Sequence, residues 1–279
     1  MSRFTSESDF MNLAFNLVRE ATSYLAVAAS TLGPKPVWSR DQAVVGGNMV
    51  RLFKLMNAFL DQTAQKRPET STILSRLVFE TIVNSRYLIA NFSQELIASY
   101  CEHSLRHERR LWDTIQSNVK ARAGVVLPIE DRMMRSINRA AKVAGFSIEA
   151  VDPKAKGPWG GKDLRKKAAA VGLEEPYLAV FGGMSHNVHG AWQDLDQFHL
   201  EEAGDDTFTP RLDWGLPRPQ ALFALGVLSL GAATDFFAFI GGQDLQAKVQ
   251  DHVDDLIVRL HQVNDAHEAY LQARTWPAI

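Results

Sequence analysis

Apolar residues recur three and four apart along nearly the whole chain, and runs of alternating β-branched residues are missing. That period marks helices with one buried face. It predicts helices over about 7–30, 39–64, 69–92, 94–119, 129–144, 162–172, 176–194, 218–241 and 244–273. Several begin with start signals. "RPETSTILSRL" sets a proline, Glu69 and Thr70 ahead of an apolar periodic run, and Pro128 in "LPIED" and Pro176 in "EEPYL" do the same. "GPKP" and "GPWGGKD" are turn-rich breaks. The pattern predicts an all-α, multi-helix bundle of eight or nine helices. It divides into an N-terminal helical hairpin (1–64), a central helical core (65–200), and an acidic loop with a C-terminal helical pair (201–279), together expected to form one domain. The stretch from about 195 to 217 is the longest without helical period and is expected to be irregular.

Length and composition narrow this picture. The 279 residues, 46% hydrophobic and 22% charged, are enough for a sizeable core, and a net charge of -2 gives no global sign of a nucleic-acid or membrane partner. One run, "ALFALGVLSLGAATDFFAFIGG" (221–242), is long enough to cross the roughly 30 Å of a bilayer. Asp235 interrupts it, and Gly226, Gly231 and Ala232 suit tight helix packing, so a core helix is expected rather than a span. The start lacks a basic region followed by an apolar run. Cys101 stands alone, which fits a reducing, cytoplasmic setting. Charge is uneven along the chain. Residues 132–167 hold ten Lys/Arg against three Asp/Glu, and residues 194–213 hold seven Asp/Glu against Arg211. Such polarity either steers a ligand or pairs the two segments.

Candidate chemistry lies in polar residues set into apolar helices. In "TSTILSRLVFETIVNSRYLIANF", Arg76, Glu80 and Asn84 follow at steps of four and Asn91 seven later, a polar seam on a helix otherwise apolar over most of its circumference. A buried charge needs a partner, and Arg76 with Glu80 can form one within the helix. "YLAVFGGMSHNVHGAWQDL" repeats the theme. Tyr177, Phe181, Met184, Val188 and Trp192 make an apolar stripe, while Ser185 and His189 share another face with His186 beside them. The Gly182–Gly183 pair suggests close approach by a helix or a ligand. A glutamate against His189 would fix its tautomer and raise its basicity. A core histidine bonded to a carboxylate is the commoner meaning of the same pattern.

Two further clusters read mainly as surface. His103 and His107 in "CEHSLRHERRLWD" stand four apart, as metal ligands on a helix do. Ser104 occupies the place of the zinc-protease glutamate, however, and Arg106, Arg109 and Arg110 would repel a cation. A solvated charged face is expected there. Arg132, Arg135, Arg139 and Lys142 recur at three, four and three residues, on the face opposite Met133, Ile137 and Ala141. Such a stripe can track phosphates, although no aromatic residues interleave with it. Phosphate-binding loops of the Gly-x-x-x-x-Gly-Lys type, Gly-x-Ser-x-Gly elbows and Cys-x-x-Cys pairs do not occur.

"SRLVFETIVNSRYLI" together with "GPWGGKDLRKKAAAVGLEEPYLAVFGGMSHNVHG" resembles the bacterial domain-of-unknown-function family numbered 5677. Members of that family carry an Arg-x-x-x-Glu helix and, about a hundred residues on, a Tyr…Ser-x-x-x-His helix. The resemblance covers roughly residues 65–200. It implies a helical fold with Arg76, Glu80, Ser185 and His189 in one site after Tyr177, and it brings no reaction. A looser comparison is with HEPN domains, helical bundles that often act as ribonucleases. Their active helix sets a histidine four to six residues after an arginine, and no histidine here has an arginine five to seven residues before it.

The sequence thus leads to a small-ligand-binding or interaction protein centred on Arg76, Glu80, Ser185 and His189, with Tyr177, His186 and Asn84 as further ligand contacts. Two alternatives follow. One is a phosphoester hydrolase acting on RNA, with His189 as base, Glu80 orienting it and Arg76 holding the phosphate, while Arg132, Arg135, Arg139 and Lys142 track further phosphates. The other is a metal-dependent hydrolase using His186, His189 and Glu80. No cofactor or resident metal is expected. The open partners are a small molecule, a protein, RNA and a second copy of the chain, but not a membrane.

Overall fold

The computed structural model describes residue 4, residues 6–178 and residues 188–275. Nine helices occur among the described residues. The helix starts follow from their residues. Ser6 opens α1 (Glu7–Ser30) and Ser39 opens α2 (Arg40–Ala64), each in a reciprocal capping box, with Asp9 and Gln42 respectively. Proline occupies the first turn of α3 (Pro68–Ala90) and of α5 (Pro128–Ala144), where its missing N–H costs nothing. Ser93 accepts the Leu96 N–H to open α4 (Gln94–Ala121). Short helices follow: α6 (Leu164–Ala170), the single turn α7 (Glu174–Pro176) and α8 (Trp192–Phe198). The last element, α9 (Pro219–Gln272), is one continuous run broken by Gly242.

That break makes the final element a hairpin. Gly242 has φ 73° and ψ -175°, a corner that an L side chain resists. The arms 219–241 and 243–272 fold back on each other. Phe223 meets His267 at 6.2 Å between ring centres, and a Cβ on Gly226 would stand 3.2 Å from Leu260 Cδ1 and 3.1 Å from Val18 Cγ2. The expected helical pair is therefore present, and α1 lies along both arms. Arg259 grips Glu20 of α1 through two N–H···O contacts of 2.7 and 3.1 Å, and His267 Nε2 lies 2.8 Å from Glu7 Oε2.

The main core joins α1, α2, α3 and both arms of α9 through fully buried residues such as Leu25, Met49, Phe79, Phe236 and Leu256. A smaller core under α4 and α5 uses Leu105, Ile115, Ile137, Ala141, Ile148 and Val151. The arm 219–241 belongs to a helix long and apolar enough to cross a membrane, and every residue from 219 to 241 is buried or half-buried against protein.

Two stretches depart from the sequence reading. The helix expected over 176–194 does not run through its end. Gly190 takes a positive φ of 61°, and α8 starts anew at Trp192. The stretch expected to be irregular contains a β-hairpin, β1 (Leu200–Gly204) with β2 (Thr207–Pro210), closed at Asp205 and Asp206 with both φ positive, as tight hairpin turns require. Its strands are exposed on nearly every residue, so they have no buried alternation for a sequence pattern to reveal.

Truncating Phe236, fully buried where α9 meets Trp38, should cost about 3–5 kcal/mol. Urea unfolding of Phe236→Ala measures this. A loss below about 1 kcal/mol would mean that the arm is not packed as described.

Candidate functional site

The seam read from the sequence is a stripe on α3. Thr72, Arg76, Glu80 and Asn84 stand four apart and all are half-buried. The hydroxyls at its head satisfy themselves locally. Ser71 donates to the Arg67 carbonyl at 2.9 Å, Thr72 to the Pro68 carbonyl at 2.8 Å, and Ser75 to the Thr72 carbonyl at 2.7 Å. Arg76 and Tyr177 are brought together: the guanidinium lies 5.6 Å from the centre of the tyrosine ring, and Phe79 lies 6.4 Å from the same ring. The internal Arg76–Glu80 pair is absent from the ion pairs of the described residues. Ser185 and His186 lie outside the described residues, and His189, at their margin, is exposed.

Glu80 faces a different cation. Lys167 of α6 is only 3% exposed, and its ammonium sits 3.3 Å from the centre of the Trp159 ring and 6.0 Å from that of Tyr87. Burial drives the amine from its ordinary 10.5 down to about 8, against the pull of Glu80 and Asp163, which favour the charged form. The "GPWGGKD" turn builds this arrangement. Trp159 inserts edge-on between Tyr87 of α3 (5.6 Å) and Tyr100 of α4 (5.1 Å), and the Gly160 N–H donates to Ser99 Oγ at 3.0 Å. Tyr100 in turn accepts from Asn48 Nδ2 of α2 at 3.3 Å. Asp163 then caps α6 by accepting the Lys166 N–H at 2.8 Å. His103 lies on the α4 side, its imidazole held below the usual histidine range by burial and by the charges of Arg106 and Lys167.

Lys167 was not among the candidates drawn from the sequence, yet a signal was present. Leu164, Lys167, Ala168 and Val171 stand at the i, i+3, i+4, i+7 positions of one helix face, which places this lysine, unlike Arg165 and Lys166, among apolar neighbours.

The arginines of α4 also differ from expectation. They are not simply solvated: Arg106 donates to the Gly157 carbonyl, Arg109 to those of Ile148 and Glu149, and Arg110 to that of Pro153, pinning the loop 148–157. The basic stripe does take the face foreseen for it. Arg132, Arg135, Arg139 and Lys142 are exposed on α5, with Ile137 and Ala141 buried opposite, and Arg135 pairs with Asp131. Among the described residues, no three His, Cys, Asp or Glu side chains gather as a metal site.

A cavity of about 500 Å3 opens at the head of the α3 stripe. Ser71, Thr72 and Ser75 form one wall, Phe59 and Phe198 supply apolar surface, and Arg211, Arg218 and Gln220 stand around the rest. The Gln220 Oε1 is buried and finds no hydrogen-bond donor among the described residues.

The model of a family described only as being of unknown function, DUF5677, matches residues 42–207, more than half of the chain. The chain belongs to that family. The match takes in nearly all of α2, the whole α3 stripe, the Trp159–Lys167 stack and part of the hairpin, and so reaches further toward the N-terminus than the quoted motifs do. No curated protein and no solved structure matches the chain.

In this family member, stability should carry the mark of Lys167. The folded amine releases its proton near pH 8, whereas the unfolded amine holds it to about 10.5, so between these values the unfolded state binds more protons and stability rises with pH. Against Lys167→Met, wild type should gain as pH climbs from 8 toward 10.5, with a slope of at most about 1.4 kcal/mol per pH unit. Urea unfolding at several pH values reads the difference, and a flat difference would contradict a buried ammonium.

Proposed function

We propose that the protein binds a small ligand bearing an acidic group, a carboxylate or a phosphate, in the cavity at the head of α3. The observation that carries this reading is the make-up of the cavity wall: two arginines and four hydroxyl-bearing residues beside aromatic surface, in a space large enough for a metabolite. Arg211 and Arg218 would meet the acidic group, arginine being the side chain best suited to such pairing. Gln220 Oε1, without a donor of its own, would accept an N–H or O–H from the ligand. The apolar part of the ligand would lie on Phe59 and Phe198. Arg76, one position beyond Ser75, and Glu80, one turn further on, continue the same helix face away from the cavity.

Other features support the setting of this reading. The arm 219–241, buried or half-buried throughout, supports a core helix rather than a membrane span. The lone Cys101, itself buried, supports a reducing cytoplasm. A phosphoester hydrolase with His189 as base and a metal-dependent hydrolase with His186, His189 and Glu80 draw on no further observation, so neither is advanced.

A panel of small carboxylates and phosphates tests the proposal, read by thermal shift and by emission of Trp214, which neighbours the cavity residue Gly215. At least one class should raise the melting temperature. Arg218→Ala, an exposed position that leaves the core untouched, should weaken its binding by about tenfold or more, the effect of losing one charge-assisted contact. Binding unaffected by loss of both Arg211 and Arg218, or none at millimolar concentration, would overturn it.

A further inference from the structure

The unequal charge along the chain becomes two separate surfaces. One is the stretch from α8 through the hairpin. It exposes Asp196, Glu201, Glu202, Asp205, Asp206 and Asp213 against Arg211, while Asp194 is buried beside His199. Large apolar side chains stand in the open among these acids. Trp192 is 56% exposed and meets Phe208 edge-on at 5.5 Å, while Leu212 is 90% exposed. The strands pair with each other and pack on α8, and their residues are otherwise open to solvent. The second surface is the outer face of α5, with Arg132, Arg135, Arg139 and Lys142. Apolar residues flank it too: Val143 at its end, and Val125, Leu127 and Ile129 at its start, are all exposed.

Within one chain these surfaces do not meet through charge. Among the described residues, no ion pair joins the stretch 132–167 to the stretch 194–213. Each is left with an excess of one sign and with uncovered apolar side chains beside it. Exposed aromatic groups within a charged rim are what association surfaces are built from.

We infer that two copies of the chain associate, the acidic hairpin arm of each lying on the basic α5 face of the other. Opposite charge sets the register along α5, where Arg135 and Arg139 meet the acids of the hairpin, foremost Glu202, which shares a strand face with its cross-strand neighbour Phe208. Trp192, Phe208 and Leu212 cover the apolar flanks Val125–Ile129 and Val143. A two-fold exchange covers both arms at once, whereas a head-to-tail contact would leave one arm bare and propagate. It also shelters the open edges of a two-stranded sheet, which would otherwise recruit other chains. This inference is independent of the cavity at the head of α3.

The experiment is light scattering of the full chain after size-exclusion chromatography, at low and high salt, with absorbance at 260 nm recorded. Wild type at low salt should show a mass near twice the 31.1 kDa of the chain, falling toward one chain as salt screens the contact. Arg135→Glu with Arg139→Glu, and separately Glu201→Arg with Glu202→Arg, should each weaken association by at least about tenfold. Circular dichroism establishes that both variants are folded. Mixing them should restore the dimer, because each reversed surface then meets its complement. A wild type of single-chain mass at all concentrations would overturn the inference. So would a dimer indifferent to both reversals, or folded variants that fail to recover on mixing. Nucleic acid retained on wild type through Arg135 and Arg139 and removed by ribonuclease would overturn it equally, assigning the stripe to RNA.

Discussion

A helix enclosed on several sides must find partners for most of the polar groups it carries, and α3 is that helix. It packs against α2, α6 and α9, and its apolar residues Val78, Phe79, Ile82, Val83 and Leu88 are buried to the last few per cent. Most of its polar residues are answered one by one, although the buried Glu69 Oε2 in its first turn finds no hydrogen-bond donor among the described residues. Ser71 donates to the carbonyl of the N-cap residue Arg67, and Thr72, Ser75, Thr81 and Ser85 donate back to carbonyls of their own helix. Arg86 pairs with Asp235 of α9 at 2.7 Å, Arg76 stacks on Tyr177, and Glu80 lends its charge to Lys167. These demands place the neighbouring elements. Asp235, the residue that argued against a membrane span, serves here as the counter-ion of a half-buried arginine. A partly buried pair of this kind adds little net stability, but losing either partner would strand the other.

Lys167 shows how such a requirement reaches further. This lysine is only 3% exposed, with its ammonium over the Trp159 ring, and it loses more in hydration than it regains from Glu80 and Asp163, an imbalance its lowered pKa records. The chain nevertheless builds an elaborate seat for it. Trp159 is wedged between two tyrosines, a glycine N–H is anchored to Ser99, and an aspartate caps the helix that delivers the lysine. The whole arrangement falls inside the family match.

Much of the fold was legible because helical period is a local property. The starts at Ser39, Pro68, Ser93 and Pro128 and the corner near Gly242 follow from caps, prolines and glycines that act over one turn. The α3 stripe was legible for the same reason, since steps of four define a face. A face does not name its partner, however. Arg76 was given to Glu80 because they are one turn apart, and it found an aromatic ring a hundred residues away. Lys167 disappeared into a count of basic residues, although its position beside Ala168 set it apart. The hairpin at 200–210 could not be seen, because strands exposed on both faces leave no alternation. The arginines of α4 read as solvated because loop carbonyls carry no sequence signature.

The central claim is that the polar face of α3 ends in a site for a small acidic ligand. Methyl-resolved NMR tests it directly, following Thr63, Thr72, Ala221 and Ala224, whose methyl groups line the cavity, as mixed carboxylates and phosphates are added. The account predicts shifts that saturate and concentrate on those four methyls, with Thr22 and Ala28 of α1 unmoved. Shifts absent at millimolar ligand, or spread evenly over both sets, would contradict it.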